Sequence, residues 1–227
     1  MLVMLSCSAL AQQQSRPGID SVRLHYEKMA TPYLYNGFEY VHYDQHIYNN
    51  LDPYFRSRAY GVGDIWYQGR HFADQRMILD IVLEQLVIPN DYLPGTYGQL
   101  VLLHDRVDSF SLHGLRFIHM RDSTQYRPGF YARLHKGRTT TLYARYVKDL
   151  EKGKITPDGI WDAITDHNYY EMEVAGQFHV VHTQADISRL LGQKRKVVKR
   201  YLRNQDIEFK RERERAIVAV VRHFDPQ

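Results

Sequence analysis

The residues whose type and spacing point most directly to chemistry are cations near the C-terminus. Twelve Lys or Arg residues lie between Arg189 and Arg222, against four Asp or Glu residues. A cluster of this kind can contact phosphate groups or an anionic membrane surface. The alternative is that these cations form the solvated outer face of amphipathic helices. Residues 211–215 alternate between positive and negative charge, which favours this alternative for that segment. The candidate anion-binding residues are Lys194, Arg195, Lys196, Lys199, Arg200 and Arg203.

Motifs for nucleophilic catalysis are missing from the sequence. It contains no Gly-x-Ser-x-Gly motif, no Ser-x-x-Lys in a suitable setting and no Gly-rich phosphate loop. Ser109 and Ser111 have ionisable neighbours in His104, Asp105, Asp108 and His113. Closeness along a strand does not make a catalytic triad, so we assign no catalytic residues. A hydrolase whose site is built from the loops of residues 45–62 and 121–128 stays open as an alternative.

The 12 histidines raise the question of a metal site. His42 and His46 are four residues apart, and His179 and His182 are three residues apart. Within a strand, a spacing of three places the two side chains on opposite faces. No His-Glu-x-x-His motif, cysteine pair or acidic calcium loop accompanies them. The sequence therefore predicts neither a metal site nor a cofactor.

Composition indicates an ordinary globular chain with an excess of tyrosine. The 227 residues include 18 Tyr. Tyrosine has an apolar ring and a polar hydroxyl, so it suits a sheet with one partly solvent-exposed face. The formal net charge of +4 is too small to indicate a nucleic-acid partner. An envelope protein or an anionic membrane surface is the expected kind of partner.

The N-terminus resembles an export signal. Residues 1–11 carry no charge, and Ala9 and Ala11 form an A-x-A-like cleavage site before Gln12. Lipidation at Cys7, the only cysteine, is a second reading, and a buried N-terminal element is a third. We expect the periplasm or cell envelope as the location, with association at the outer membrane as the more specific expectation.

The elements that must position these residues change type near residue 183. Residues 12–30 form a leader, and residues 31–182 are predicted to form a β-meander domain with turns at Gln68-Gly69, His113-Gly114 and Ala175-Gly176. The expected strands are residues 33–35, 38–43, 64–67, 76–82, 85–88, 99–102, 109–112, 115–119, 130–134, 139–146, 169–174 and 177–181. Asn36-Gly37 is expected to join the first two as a hairpin. Residues 148–164 are expected to form a charged, partly helical insertion. A helix over residues 77–86 is the rival to the strands there.

Residues 183–227 are predicted to form a helical segment packed on the sheet. Thr183 and Asp186 resemble a capping box at the start of the first helix. A second helix is expected over residues 194–204 and a third over residues 211–224. Apolar residues recur at helical spacing in the third, at Ile217, Val220, Val221 and Phe224.

A series of short motifs runs through most of the chain. They are Asn36-Gly37 with Glu39-Tyr40, residues 63–67 with Gly69, Leu79-Asp80, residues 86–88, 107–112, Gly114 with Phe117, Gly129-Phe130-Tyr131, Lys136-Gly137, residues 194–202, 207–209 and 213–224. The order of these motifs resembles a group of uncharacterised exported proteins common in Bacteroidota. The resemblance covers nearly all of the chain after residue 31. It implies export and an envelope setting and brings no catalytic residues.

Taken together, the sequence predicts an α+β, mainly β protein. Its antiparallel meander forms a barrel-like sheet, and a helical segment follows at the C-terminus. The expected function is a non-enzymatic binding or scaffolding role, with the basic helices as an anionic-surface or lipid-headgroup binder as the further alternative.

Overall fold

The structure is a computed structural model that describes residues 33–43, 52–90, 98–121, 125–157 and 159–226. The predicted signal segment, the leader, Cys7 and His46 lie outside the described residues. The strands are β1 (Gly37–Glu39), β2 (Gly61–Tyr67), β3 (Arg70–Asp80), β4 (Gln85–Pro89), β5 (Gln99–Leu102), β6 (Val107–Leu112), β7 (Leu115–Met120), β8 (Gly129–Lys136), β9 (Thr140–Thr156), β10 (Gly159–Val174) and β11 (Gln177–Val180). The helices are α1 (Gln184–Leu190), α2 (Arg195–Asn204) and α3 (Arg213–Phe224).

The strands form one antiparallel sheet in the order β1-β5-β4-β3-β2-β6-β7-β8-β9-β10-β11. This confirms the predicted fold class, a mainly β meander followed by helices, although the sheet is not closed into a barrel. The rival helix over residues 77–86 is excluded, because β3 and β4 cover most of that stretch and are joined by a short turn.

The sheet is strongly curled between β5 and β6. Only residues 103–106 connect them, yet β4, β3 and β2 lie between them in the strand order. Four strand spacings would span roughly 19 Å in a flat sheet, whereas a connection of mostly 3-10 geometry covers about 10 Å. The bend lies in β3, which pairs with β2 from Arg70 to Met77 and with β4 only from Ile78 to Asp80.

Three tight turns are confirmed by their backbone angles. In Gln68-Gly69, His113-Gly114 and Ala175-Gly176 both residues have φ between +49° and +79°. Two successive positive φ values are the geometry of a hairpin turn whose twist matches that of its strands. These short-range signals therefore set where the chain reverses.

The predicted hairpin around Asn36-Gly37 is wrong. Tyr33 and Leu34 are helical, and β1 pairs with β5 rather than with residues 33–35. Gly37 faces the backbone of β5 so closely that a Cβ atom there would lie 2.1 Å from the Val101 carbonyl oxygen. The glycine is needed for close approach of two strands, a role with the same sequence signature as a turn.

The predicted insertion over residues 148–164 is also wrong. β9 and β10 continue through it as a long hairpin, and their pairing runs out to Thr156 opposite Gly159. Most described side chains of the outer part of this hairpin are exposed, so no alternation of buried and polar residues marks the strands. The two strands satisfy each other's backbone groups, which makes the extended conformation stable despite the charge.

The main core lies between one face of the sheet and the helices. Ile65, Phe110 and Phe117 of the sheet are fully buried in the same cluster as Ile187, Val198 and Ile217 of the helices. The Thr183–Asp186 capping box is confirmed, since each side chain accepts a hydrogen bond from the backbone N–H of the other. The apolar spacing predicted for the third helix is confirmed too, because Ile217, Val220 and Val221 are completely buried.

Candidate functional site

The basic face of α2, which we define as the exposed side formed by Arg195, Lys196, Lys199, Arg200 and Arg203, is the candidate site. The helix is held by its opposite side, where Val198 and Leu202 enter the core. A helix turns about 100° per residue, so the five cations fall within an arc of about 140°. Lys194 adjoins them as the N-cap residue, in extended conformation. The structure therefore brings all six predicted residues together on one exposed surface.

The charges of this face are not neutralised within the described part of the chain. No ion pair there involves any of the six cations, and α2 contains no acidic residue. Other cations of the same tail are paired: Arg189 with Asp186 at 3.6 Å, Arg211 with Glu208 at 3.9 Å, and Arg215 with Glu212. The unpaired charge is thus concentrated on α2.

The three cations at the start of α2 work against helix stability. Lys194, Arg195 and Lys196 stand at the N-terminus of α2, where the helix dipole is positive and acidic residues are favoured. Each unfavourable placement costs about 0.3–1 kcal/mol at an exposed site. Helix stability therefore gives no reason for these three cations, whereas Arg203 in the last turn is favourably placed.

Two grooves border α2, and both have mixed charge. One of about 300 Å³ is lined by Lys199 and Arg203 together with Asp206 and Glu208. Another, of about 410 Å³, is lined by Arg195 and Asp186 among others. Acidic residues in both grooves leave the convex face between them as the region of uniform positive charge.

A buried carboxylate that sequence reasoning missed lies at the end of β3. Asp80 is fully buried, and its Oδ2 accepts hydrogen bonds from the hydroxyls of Tyr40 at 2.8 Å and Tyr43 at 2.7 Å. Its Oδ1 accepts from the backbone N–H groups of Val82 and Leu83, both at 2.9 Å. Burial, with the adjacent carboxylate, raises the pKa of both tyrosines. The partners of Asp80 all belong to the chain itself, so we assign this cluster to stabilising the turn between β3 and β4. The only sign of the cluster in the sequence is an aspartate that directly follows an apolar run.

A second missed carboxylate is Glu171 of β10, which faces away from the helices. It is 7% exposed, and its Oε2 has no hydrogen-bond partner among the described residues. The Tyr131 hydroxyl is 3.4 Å from the other oxygen, Oε1. The neighbouring Arg145 is engaged by Glu84 through two contacts of 3.2 and 2.7 Å. Burial raises the pKa of Glu171, although the Tyr131 hydrogen bond and nearby arginines oppose it.

Ser109 and the ionisable residues near it make contacts within the sheet and the core. Ser109 Oγ accepts a hydrogen bond from Arg116, and Asp108 accepts from Gly69 N and Arg121. The ring of His113 lies beside Phe55, on the core side. The ring of His119 adjoins His104, and burial together with that neighbour lowers the pKa of His119. Within the described ranges, no group of three or more His, Cys, Asp or Glu residues could hold a metal ion.

The loops proposed for a hydrolase site are described only in part, as residues 52–62, 121 and 125–128. In the first of them, Phe55 is buried in the main core, and Lys148 Nζ donates to the backbone oxygens of Asp52 and Tyr54. These contacts attach the described part of the loop to β9.

Comparisons with protein-family models, with curated proteins and with solved structures found no match to this chain. Among the described helices, none is long and apolar enough to cross a membrane.

Proposed function

We propose that the protein is an exported, non-enzymatic binding protein of the cell envelope, and that it binds an anionic lipid surface through the basic face of α2. The observation that carries the proposal is the concentration of unpaired cations on that one exposed face. An elongated, convex strip suits an extended anionic surface better than it suits a small enclosed ligand.

The expected strength of this contact follows from simple electrostatics. A Lys or Arg close to an anionic membrane contributes about 1 kcal/mol, so five residues on one face contribute about 5 kcal/mol. Such binding is reversible, and salt weakens it because the screening length falls to about 8 Å at physiological ionic strength. The predicted signal segment and the resemblance to exported proteins support an envelope setting.

Vesicle co-sedimentation tests the lipid contact. The purified chain is expected to sediment with vesicles containing phosphatidylglycerol, not with neutral phosphatidylcholine vesicles, and to be released as salt rises. The variant Lys199→Gln/Arg200→Gln/Arg203→Gln should lose most of this binding.

The matched control is Arg189→Gln/Arg211→Gln/Arg215→Gln. It removes the same formal charge from the same tail, but from cations that are paired with acidic residues. Equal loss of vesicle binding in both variants would show a general charge effect and would contradict a site on α2.

Fractionation with mass spectrometry of the mature N-terminus tests export. We expect envelope fractions to contain a chain that begins at Gln12, or one that is lipidated at Cys7. A chain that retains residues 1–11 in the cytoplasmic fraction would contradict the proposed location.

A further inference from the structure

The open groove between β7 and β8 is a second, separate site candidate, on a part of the sheet that the proposed function does not use. It has a volume of about 500 Å³, and Arg116, Arg133 and Lys136 are among its lining residues. None of the residues that line it is acidic. We name it the arginine groove.

Strand register brings the three cations together. Arg116 of β7 and Arg133 of β8 are direct cross-strand partners, so their side chains stand side by side on one face of the sheet. Arg133 pairs with Tyr143 of β9, and the register shifts directly after it, so that Lys136 pairs with Thr141. Thr141 and Tyr143 share a face of β9, so the shift returns Lys136 to the face of Arg133, although the two are three residues apart.

The pair of arginines is costly without a partner. Like charges directly opposite each other destabilise a sheet. Within the described part of the chain, no ion pair involves Arg116, Arg133 or Lys136, whereas Arg121 of the same region binds Asp108 at 3.0 Å. An anion in the groove would supply the missing counter-charge.

The Arg116 side chain is fixed by two contacts, both on the side of β7 that faces β6 and β2. Its Cζ lies 4.1 Å from the centre of the Trp66 ring, and its Nη2 donates to Ser109 Oγ at 3.1 Å. The Trp66 ring is itself stacked on His71, with ring centres 4.6 Å apart. A guanidinium carries five N–H donors, so most remain for a ligand after the bond to Ser109.

We infer that the arginine groove binds a dianionic oxyanion, the phosphate monoester group of a small molecule. Guanidinium groups from two neighbouring strands line the groove, and their N–H donors match tetrahedral oxyanions. Three cations match the charge of a dianion better than they match the single charge of a carboxylate. The site is independent of α2, because no residue of that helix lines the groove.

Thermal unfolding and titration calorimetry with inorganic phosphate and inorganic sulfate test the inference, at constant ionic strength and with acetate as the monoanionic comparison. Phosphate or sulfate should raise the melting temperature in a saturable way, and acetate should not. In Arg116→Gln/Arg133→Gln the affinity should fall by about tenfold or more, since charged hydrogen bonds are lost. Arg121→Gln removes one charge outside the groove and should respond like the wild type.

The outcomes separate binding from folding. The melting temperature of Arg116→Gln/Arg133→Gln without anion is measured first, because the variant loses the repulsion and also the contacts of Arg116 with Trp66 and Ser109. If that variant melts at a lower temperature than the wild type, Arg116→Lys/Arg133→Lys is used for the comparison. It keeps both positive charges but loses the guanidinium donors, so it should bind phosphate more weakly than the wild type. No saturable shift in the wild type, or an equal shift in the groove variants, would overturn the inference.

Two further arms identify the source of the oxyanion. Unchanged vesicle binding by Arg116→Gln/Arg133→Gln supports a small soluble phosphate as the ligand. Reduced vesicle binding would show that the groove contacts the lipid phosphodiester, which is a monoanion, and would contradict a preference for a dianion. The α2 variant Lys199→Gln/Arg200→Gln/Arg203→Gln should keep its response to phosphate. Failure of the groove proposal and failure of the lipid-surface proposal therefore give different results.

Discussion

Asp225, directly after α3, holds the connection between β8 and β9. Its carboxylate accepts hydrogen bonds from the backbone N–H groups of Arg138, Thr139 and Thr140 and from the Thr140 hydroxyl, at 2.7–3.2 Å. Its backbone oxygen also contacts His135 Nε2 at 2.8 Å. One side chain thus attaches the end of the last helix to a hairpin turn of the sheet.

Asp225→Asn should lower the free energy of unfolding by about 2–3 kcal/mol, since the turn donors lose their charged acceptor. Burial alone would raise the pKa of Asp225, but the hydrogen bonds from Thr140 and Thr139 outweigh it and the pKa is lowered. This stabilisation is therefore complete above an unfolded pKa of about 3.9 and disappears as the pH falls through the folded value. Urea unfolding across this range should show the difference between wild type and variant shrinking with acid.

The control for that experiment is Asp206→Asn, which makes the same change at an exposed residue after α2. It should alter the unfolding free energy by no more than about 0.5 kcal/mol. A difference between wild type and Asp225→Asn that stayed constant down to the lowest pH would contradict the ionic role of Asp225.

Glu171 should show the opposite pH dependence. Burial raises its pKa, so its contribution to stability is full below an unfolded pKa of about 4.3 and is lost as the pH rises through the folded value. Glu171→Gln should therefore be more stable than the wild type at pH 7, and the gain should vanish in acid. Denaturant titrations at several pH values measure this, with Glu173→Gln on the same strand as the control. A loss of stability at pH 7 in Glu171→Gln would refute the prediction.

At the level of elements, the outer half of the β9–β10 hairpin is set apart from the rest of the sheet. Ile155 and Ile160 are paired across it, yet they are 83% and 69% exposed. Its strands pair with each other over a longer stretch than β9 pairs with β8 or β10 with β11. The hairpin therefore contributes surface more than it contributes to the core.

Shortening this hairpin should leave the fold intact. Replacing residues 152–162 by Asn-Gly keeps the Leu150–Ile164 pair and supplies a two-residue turn. The unfolding free energy should change by less than about 1 kcal/mol, because mostly exposed residues are removed. Chemical denaturation followed by circular dichroism measures the change. Loss of the folded state on shortening would show that the outer hairpin belongs to the cooperative unit.

At the level of the whole molecule, helices and sheet share one apolar cluster. Ile217→Ala in α3 should therefore destabilise the sheet as well as the helices, by about 2–5 kcal/mol. Trp161→Phe leaves Trp66 of β2 as the only tryptophan, whose fluorescence reports on the sheet. Fluorescence and circular dichroism should give coincident transitions at a lower denaturant concentration. Arg222→Ala, exposed on the same helix, is the control, and separate transitions would contradict a single cooperative unit.

Local patterns were enough to predict several parts of this molecule. The spacing of Ile217, Val220 and Val221 predicts a helix, and the dipeptides Gln68-Gly69 and His113-Gly114 predict turns, because these signals depend only on residues a few positions apart. The clustering of the α2 cations was visible for the same reason, since residues 195–203 form just over two turns of one helix. The outer β9–β10 hairpin escaped prediction because no face of it is buried in a way that would leave an alternating pattern.

Other features exist only because distant segments meet. Gly37 must be small because β5 passes beside it, and Asp225 acts on Thr140, 85 residues earlier in the chain. Arg116 and Arg133 become neighbours through the antiparallel register of β7 and β8. None of these contacts has a sequence period, since each depends on strand order and on which residues pair across it. Local chemistry thus specified the helices, the tight turns and the charged helix face, whereas long-range pairing produced the buried carboxylates and the arginine groove.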